Sequence, residues 1–175
     1  MANVDEVLAT MDTPEEAEKV ILVIDEDLRV VTIPGIALVI GAEGDKDVNR
    51  LWFKMNRMYR GTDLSGFTPR VNYNNAAGKP YFYVSPDMTV EGDILLFSWL
   101  IGRSAAEEKG TVEFSVCMQL LQDGVVIKEF NTTTATMQCL RSIHEADALN
   151  DASDAANGAV LGRAIFGKMI LGRNE

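Results

Sequence analysis

Between residues 19 and 140 the chain is built from short runs in which apolar residues recur at every second position. Val112, Phe114, Val116 and Met118 alternate with Thr111, Glu113, Ser115 and Cys117, the period of a strand with one buried face. Around Leu95, Phe97 and Trp99 the interleaved Leu96, Ser98 and Leu100 are mostly apolar as well, which predicts a strand covered on both faces. Strands are predicted over 19–24, 28–33, 36–40, 51–57, 69–74, 79–84, 93–101, 110–121, 124–130 and 132–140. Turn chemistry separates them. Gln122-Asp123-Gly124 carries the Asp-Gly pair of a tight hairpin, Asn74 to Gly78 offers a longer one, and Asp25-Glu26-Asp27 closes the first. Pro69 and Pro80 fall at predicted strand starts, where a missing N–H is tolerated. Many short strands without βαβ spacing predict an all-β fold, an antiparallel immunoglobulin-like β-sandwich over 19–141.

Both ends depart from this pattern. Residues 1–18 form an acidic segment in which Thr13, Pro14 and Glu16 predict a short N-terminal helix, with Thr13 as cap and Pro14 in the first turn. After Leu140, Ser142 and Glu145 make a second capping box opening a helix to about Ala156, which Asn157-Gly158 can end. Residues 159–172 form a further helix-capable segment, apolar over most of its circumference and weakened by three glycines. Residues 142–175 thus read as a helical C-terminal tail that needs a cover. Insertion between subunits is preferred to packing back on the sandwich or lying on a membrane surface, and the expected assembly contacts are Val160, Leu161, Ile165, Phe166, Met169 and Ile170.

Composition narrows the function. A net charge of −10 argues against a general nucleic-acid binder, because neutralising phosphates takes an excess of Lys and Arg. Acid concentrates in residues 1–47, and a basic stretch follows with Arg50, Lys54, Arg57, Arg60 and Arg70. Such asymmetry suits head-to-tail or hetero-subunit contacts, or else two solvated faces of one sandwich. The N-terminus shows no basic-then-apolar signal pattern, and no run is long enough to span a bilayer. Cys117 and Cys139 lie in strand-like settings and read as free buried thiols in a reducing compartment.

The sequence offers no catalytic residue, cofactor site or metal site. His144 is the single histidine, so a two-His metal site and a serine triad both lack a member. Residues 102–110 contain Gly, Ser and Lys in the wrong order for a phosphate loop and read as a strand connection. Asp25-Glu26-Asp27 and the run Glu43, Asp45, Asp47 read as turn residues rather than calcium ligands, since neither matches a calcium loop and Lys46 offsets the second. Trp52, Phe53, Tyr59, Tyr73, Tyr81, Phe82 and Tyr83 fall in neighbouring strands. An inward set is core; an outward set, for which Tyr81 and Tyr83 are the candidates, would be a stacking platform for host cell-wall glycans.

Several motifs occur in order: 24–29 (Ile-Asp-Glu-Asp-Leu-Arg), 44–48 (Gly-Asp-Lys-Asp-Val), Met55 with Arg57 and Tyr59, and Asp63-Leu64-Ser65. Arg70-Val71-Asn72-Tyr73 with Asn75, Ala76 and Gly78 follows, then Phe97 through Arg103, Gly110-Thr111-Val112 with Phe114, and Glu129 through Thr133. Together, over about 19–140, they resemble a structural β-sandwich module of tailed bacteriophages of Gram-positive hosts. The run is similar to the N-terminal domain of baseplate upper proteins and to related virion fibre proteins. The resemblance implies a non-enzymatic module that docks onto other virion structural proteins and forms a homo-oligomer, with a trimer favoured. It implies a place in the virion after synthesis in the host bacterial cytoplasm, with no nucleic-acid or membrane partner. In longer members distal domains carry host recognition; here only the short tail is seen after residue 140, which shifts the expected role to adaptor, fibre base, anchor or decoration on tail, baseplate or capsid.

Overall fold

Alternating β-branched and aromatic residues take up the extended backbone wherever turn residues delimit them. In the computed structural model, which describes residues 19–143, this gives thirteen strands. They are β1 (Ile21–Asp25), β2 (Val30–Thr32), β3 (Val39–Ala42), β4 (Arg50–Asn56), β5 (Met58–Tyr59), β6 (Thr62–Asp63) and β7 (Thr68–Asn74). The remainder are β8 (Pro80–Val84), β9 (Thr89–Glu91), β10 (Ile94–Leu100), β11 (Gly110–Gln122), β12 (Val125–Asn131) and β13 (Ala135–Leu140). The chain divides at residue 142, and the described strands all belong to the unit that ends at Ser142.

Sheet I has the order β2-β1-β4-β10-β9; sheet II runs β3-β13-β11-β7-β8, with β12 also paired to β11; β5 and β6 form a separate ribbon. The thirteen-residue β11 is the spine of sheet II. It holds β7 along one side from Glu113 to Gln119, and on the other it pairs first with β13 and then with β12. The Asp123–Gly124 turn is a two-residue loop with φ of 52° and 78°, closed by the Gln122–Val125 pair. Both torsions are left-handed, which is why Asp-Gly occupies it. Beyond Gln119 the hairpin outruns β7, so Leu121, Val125, Val126 and Ile127 are exposed on a two-stranded ribbon. A register shift between Leu120 and Leu121 bends it.

The expected alternation holds on the inner faces. Val112, Phe114, Val116 and Met118 are buried, as are Leu95, Phe97 and Trp99 opposite them. Rings bridge the layers: Phe53 stacks on Phe97 at 5.3 Å within sheet I and meets Phe114 of sheet II edge-on at 6.2 Å. Trp99 packs at 5.0 Å from Tyr73 and 5.6 Å from Phe114. Aromatic contacts of this kind add about 0.5–1.5 kcal/mol each beyond the area they bury.

Three expectations need correction. The sandwich is not wholly antiparallel, because β1 pairs parallel to β4 and β3 parallel to β13. The chain leaves the β1–β2 hairpin, crosses to sheet II as β3 and returns as β4, which gives the long connection a parallel neighbour requires. The strand predicted at 36–40 begins later, at Val39. Pro34 and Gly35 open a 3-10 turn over Gly35–Ala37 instead, with Ala37 N–H donating to the Pro34 carbonyl at 2.8 Å. Strands β5, β6 and β9 have two or three residues, too few to show a period. The predicted N-terminal helix and helical C-terminal tail lie outside the described residues.

Candidate functional site

Polar side chains first close the ends of the sandwich. Ser98 faces outward on β10 yet is fully buried, because the β8–β9 connection folds over it. Its Oγ donates to Asp87 at 2.8 Å, Ser85 Oγ donates to the same carboxylate at 2.8 Å, and Arg50 reaches Asp87 at 2.8 Å. Burial alone would raise the Asp87 carboxyl, but the Ser98 and Ser85 hydrogen bonds and the Arg50 charge hold it below the usual aspartate range. At the opposite sheet, Asn75 is buried in the β7–β8 turn and accepts from the Lys79 and Ala77 N–H groups. Its amide donates to Glu107 at 2.9 Å and to the Ser104 carbonyl. Residues 102–109 are therefore a strand connection tied to that turn, as expected.

The acidic runs are likewise engaged as turn and tie residues. Asp25 accepts from Leu28 N–H, Asp45 from Ala42 N–H, Glu26 from Asn56, and Glu43 from Lys109 N–H and Ser142 N–H. The basic stretch does not gather into one patch. Arg50 pairs with Asp87, Arg57 with Asp63, Arg60 lies over Tyr59, Arg70 over Phe82, and Lys54 stands on the outer face of β4.

A clasp that pattern reading missed joins the first hairpin to β12. Arg29 has φ 61° and lies over Phe130 at 4.0 Å and Tyr59 at 4.7 Å. It donates to Tyr59 Oη and to the Asn131 carbonyl, each at 2.9 Å. Thr133 returns two hydrogen bonds to the Arg29 carbonyl. The signal available was the isolated Leu28-Arg29 at the end of an acidic turn, which does not announce partners 30 residues away at Tyr59 and 102 away at Asn131.

Two outward faces remain. On sheet I, Ile21 lies beside Trp52 and Ser98, and the next rung reads Val23, Lys54, Leu96. Ile94 pairs with Asn56 and Leu100 with Arg50, so this face is richer in apolar residues than a solvated sheet face usually is, with Arg50, Lys54 and Asn56 interleaved; Val23 is 48% exposed. Lys19 Nζ sits 4.8 Å from the Trp52 ring, so with Lys54 the face carries positive charge. On sheet II the outward residues are mostly amides, hydroxyls and charges. One rung reads Phe82, Asn72, Ser115 and the next Pro80, Asn74, Glu113. Arg70 lies 3.9 Å above the Phe82 ring and donates Nε–H to Asn72 at 2.7 Å. These residues line an open groove of about 290 Å³.

The aromatic set divides accordingly. Phe53 and Tyr73 are core, and Tyr81 stacks on Tyr73 at 5.7 Å. Tyr83 also packs against the core, so Tyr81 and Tyr83 are not the outward pair; on sheet II Phe82, 58% exposed, points outward, as Trp52 does on sheet I. Cys117 and Cys139 are free and buried. Burial, with Glu129 beside it, pushes the Cys117 thiol up to about 11. Val160, Leu161, Ile165, Phe166, Met169 and Ile170 lie outside the described residues, as does His144. Among the described residues no group of three or more His, Cys, Asp and Glu side chains converges as a metal site, and no helix is long and apolar enough to cross a membrane.

No protein-family model matches the chain, and no curated protein matches it. Among solved structures it is similar to the N-terminal domain of phage TP901-1 ORF48, with 15% sequence identity and a TM-score of 0.45 over 71% of this chain and 98% of that one.

Proposed function

We propose that this chain is a non-enzymatic structural component of a bacteriophage virion that works by protein–protein assembly. The observation that carries the assembly role is the apolar outer face of sheet I. Ile21, Val23, Trp52, Ile94 and Leu96 occupy solvent-side positions on three adjacent strands. Ile21 adjoins Trp52, while Lys54 lies between Val23 and Leu96; a mixed outer face of this apolar content suits an interaction site. Lys19 and Lys54 within it favour a partner surface that is apolar with acidic residues at its margin. The virion setting rests on the ordered motifs from Ile24 to Thr133 that resemble the phage β-sandwich module. Within the virion the chain serves as adaptor, fibre base or decoration, as a homo-oligomer with a trimer favoured.

The test is incorporation. A Val23→Glu, Leu96→Glu double variant, produced in the infected host alongside a phage lacking the native gene, is expected to fold, with an unchanged near-UV spectrum, and to be missing from purified particles. Normal occupancy of the variant would overturn the assignment of this face. Absence of the unaltered chain from particles would overturn the virion role.

A further inference from the structure

Beyond assembly, we infer that the groove on the outer face of sheet II is a saccharide-binding site for neutral pyranose sugars. Phe82 stands 58% exposed on the edge strand β8 with Arg70 stacked on one face of its ring, which leaves the other side as an apolar plate suited to the C–H face of a pyranose. Directly across the sheet lie Asn72 and Ser115, and one rung away Asn74 and Glu113. Three strands at about 4.8 Å spacing set these groups out over about 10 Å. Sugar hydroxyls both donate and accept, so they need amides, hydroxyls and carboxylates together, and this groove mixes all three.

Two details show pre-organisation. The Arg70 guanidinium, held over Phe82, donates Nε–H to Asn72 Oδ1. That bond fixes which end of the Asn72 amide is taken and leaves its N–H₂ to donate into the groove. Among the described residues Asn74, Glu113 and Ser115 have no side-chain partner of their own. Held in place by strands rather than loops, they need little ordering on binding.

The charge pattern selects the class of ligand. Arg70 and Glu113 both line the groove, in a chain of net charge −10. A polyanion such as nucleic acid would meet one cation and repulsion elsewhere. A lipid would find a shallow polar floor. A neutral sugar meets neither penalty.

Nitrogen-labelled full-length chain titrated with glucose, galactose, rhamnose and N-acetylglucosamine, and with soluble oligomers of each, tests the inference by NMR. Expected is a saturable shift of the Asn72 and Asn74 side-chain amides by at least one sugar, with millimolar Kd for monomers. Phe82→Ala should weaken that binding at least tenfold while leaving the core signals of Trp99 unchanged, and Asn72→Ala should weaken it on an intact Phe82. If none of the sugars shifts these amides, if shifts fall only elsewhere, or if Phe82→Ala binds equally well, the inference is overturned. Because the isolated chain is the binder, this result is separate from virion incorporation.

Discussion

On the outward side of sheet I stand Ile21, Val23, Trp52 and Leu96; on the outward side of sheet II stand Asn72, Asn74, Glu113 and Ser115. Both sets obey the same two-residue period and sit behind the same aromatic core. Each face also buries one group that its neighbours do not resemble. On the apolar face Ser98 is buried under Asp87 of the β8–β9 connection, and the polar face covers the thiol of Cys117. The lesson is that the strand period fixes which residues travel together, while the chemistry of the outward set tells what each sheet meets outside. An apolar outward set calls for another protein surface, and an amide-rich one keeps its contact with water and its solutes.

The two faces depend on one shared core. Phe53→Ala removes a ring that touches both layers and is expected to cost about 3–5 kcal/mol. Urea unfolding followed by both fluorescence and circular dichroism should show one transition for both sheets; separate transitions would mean that the faces belong to independent units. Arg29→Ala should cost about 2 kcal/mol, since it removes two ring contacts and two hydrogen bonds. Arg29→Lys should recover only part of this, because an ammonium cannot hold both acceptors in the planar fork.

Asp87→Asn acts at the knot where the β8–β9 connection lies over the outer face of sheet I. The Asp87 carboxyl is held low in the folded chain, so its contribution is present above the unfolded pKa and is lost as pH falls through the folded one. Wild type should therefore shed stability on acidification below about pH 4, and the variant, about 1–2 kcal/mol weaker at pH 7, should lose less over the same range. The smallest effect is expected at Cys117. With its thiol at about 11, only on the order of one molecule in a thousand carries the thiolate at pH 8. A thiol reagent should react with it only as fast as the chain opens. Rapid labelling of Cys117 in folded protein would show that the polar face is looser than its packing implies.

Much of this architecture was legible from residue order. The alternation at Val112–Met118 and the Asp123–Gly124 turn each fix a local geometry, and the structure carries both. Pairing between distant strands has no such local signature, so the parallel β1–β4 and β3–β13 pairs were not anticipated. The aromatic platform shows the same limit. In Tyr81-Phe82-Tyr83 either set can face out, and the decision comes from Tyr73, whose ring draws Tyr81 inward. The apolar face of sheet I was visible only as a strand expected to be covered on both sides, since Leu96 and Leu100 alone do not show that Ile21 and Val23 will lie beside them.

The overhang of the β11–β12 hairpin has a consequence for how the chain folds. Its two-residue turn lets these strands find each other locally, on the order of 1–10 μs, whereas β11 meets β7 only after the chain from Asn74 to Glu113 has closed. The hairpin is therefore expected to form before there is a sandwich to support it. Leu121, Val125, Val126 and Ile127 remain uncovered in the finished sandwich as well. Until the sandwich closes, such a ribbon offers an edge to a second chain, and the bend at Leu120 with Lys128 opposite it is the kind of feature that discourages edge-to-edge pairing.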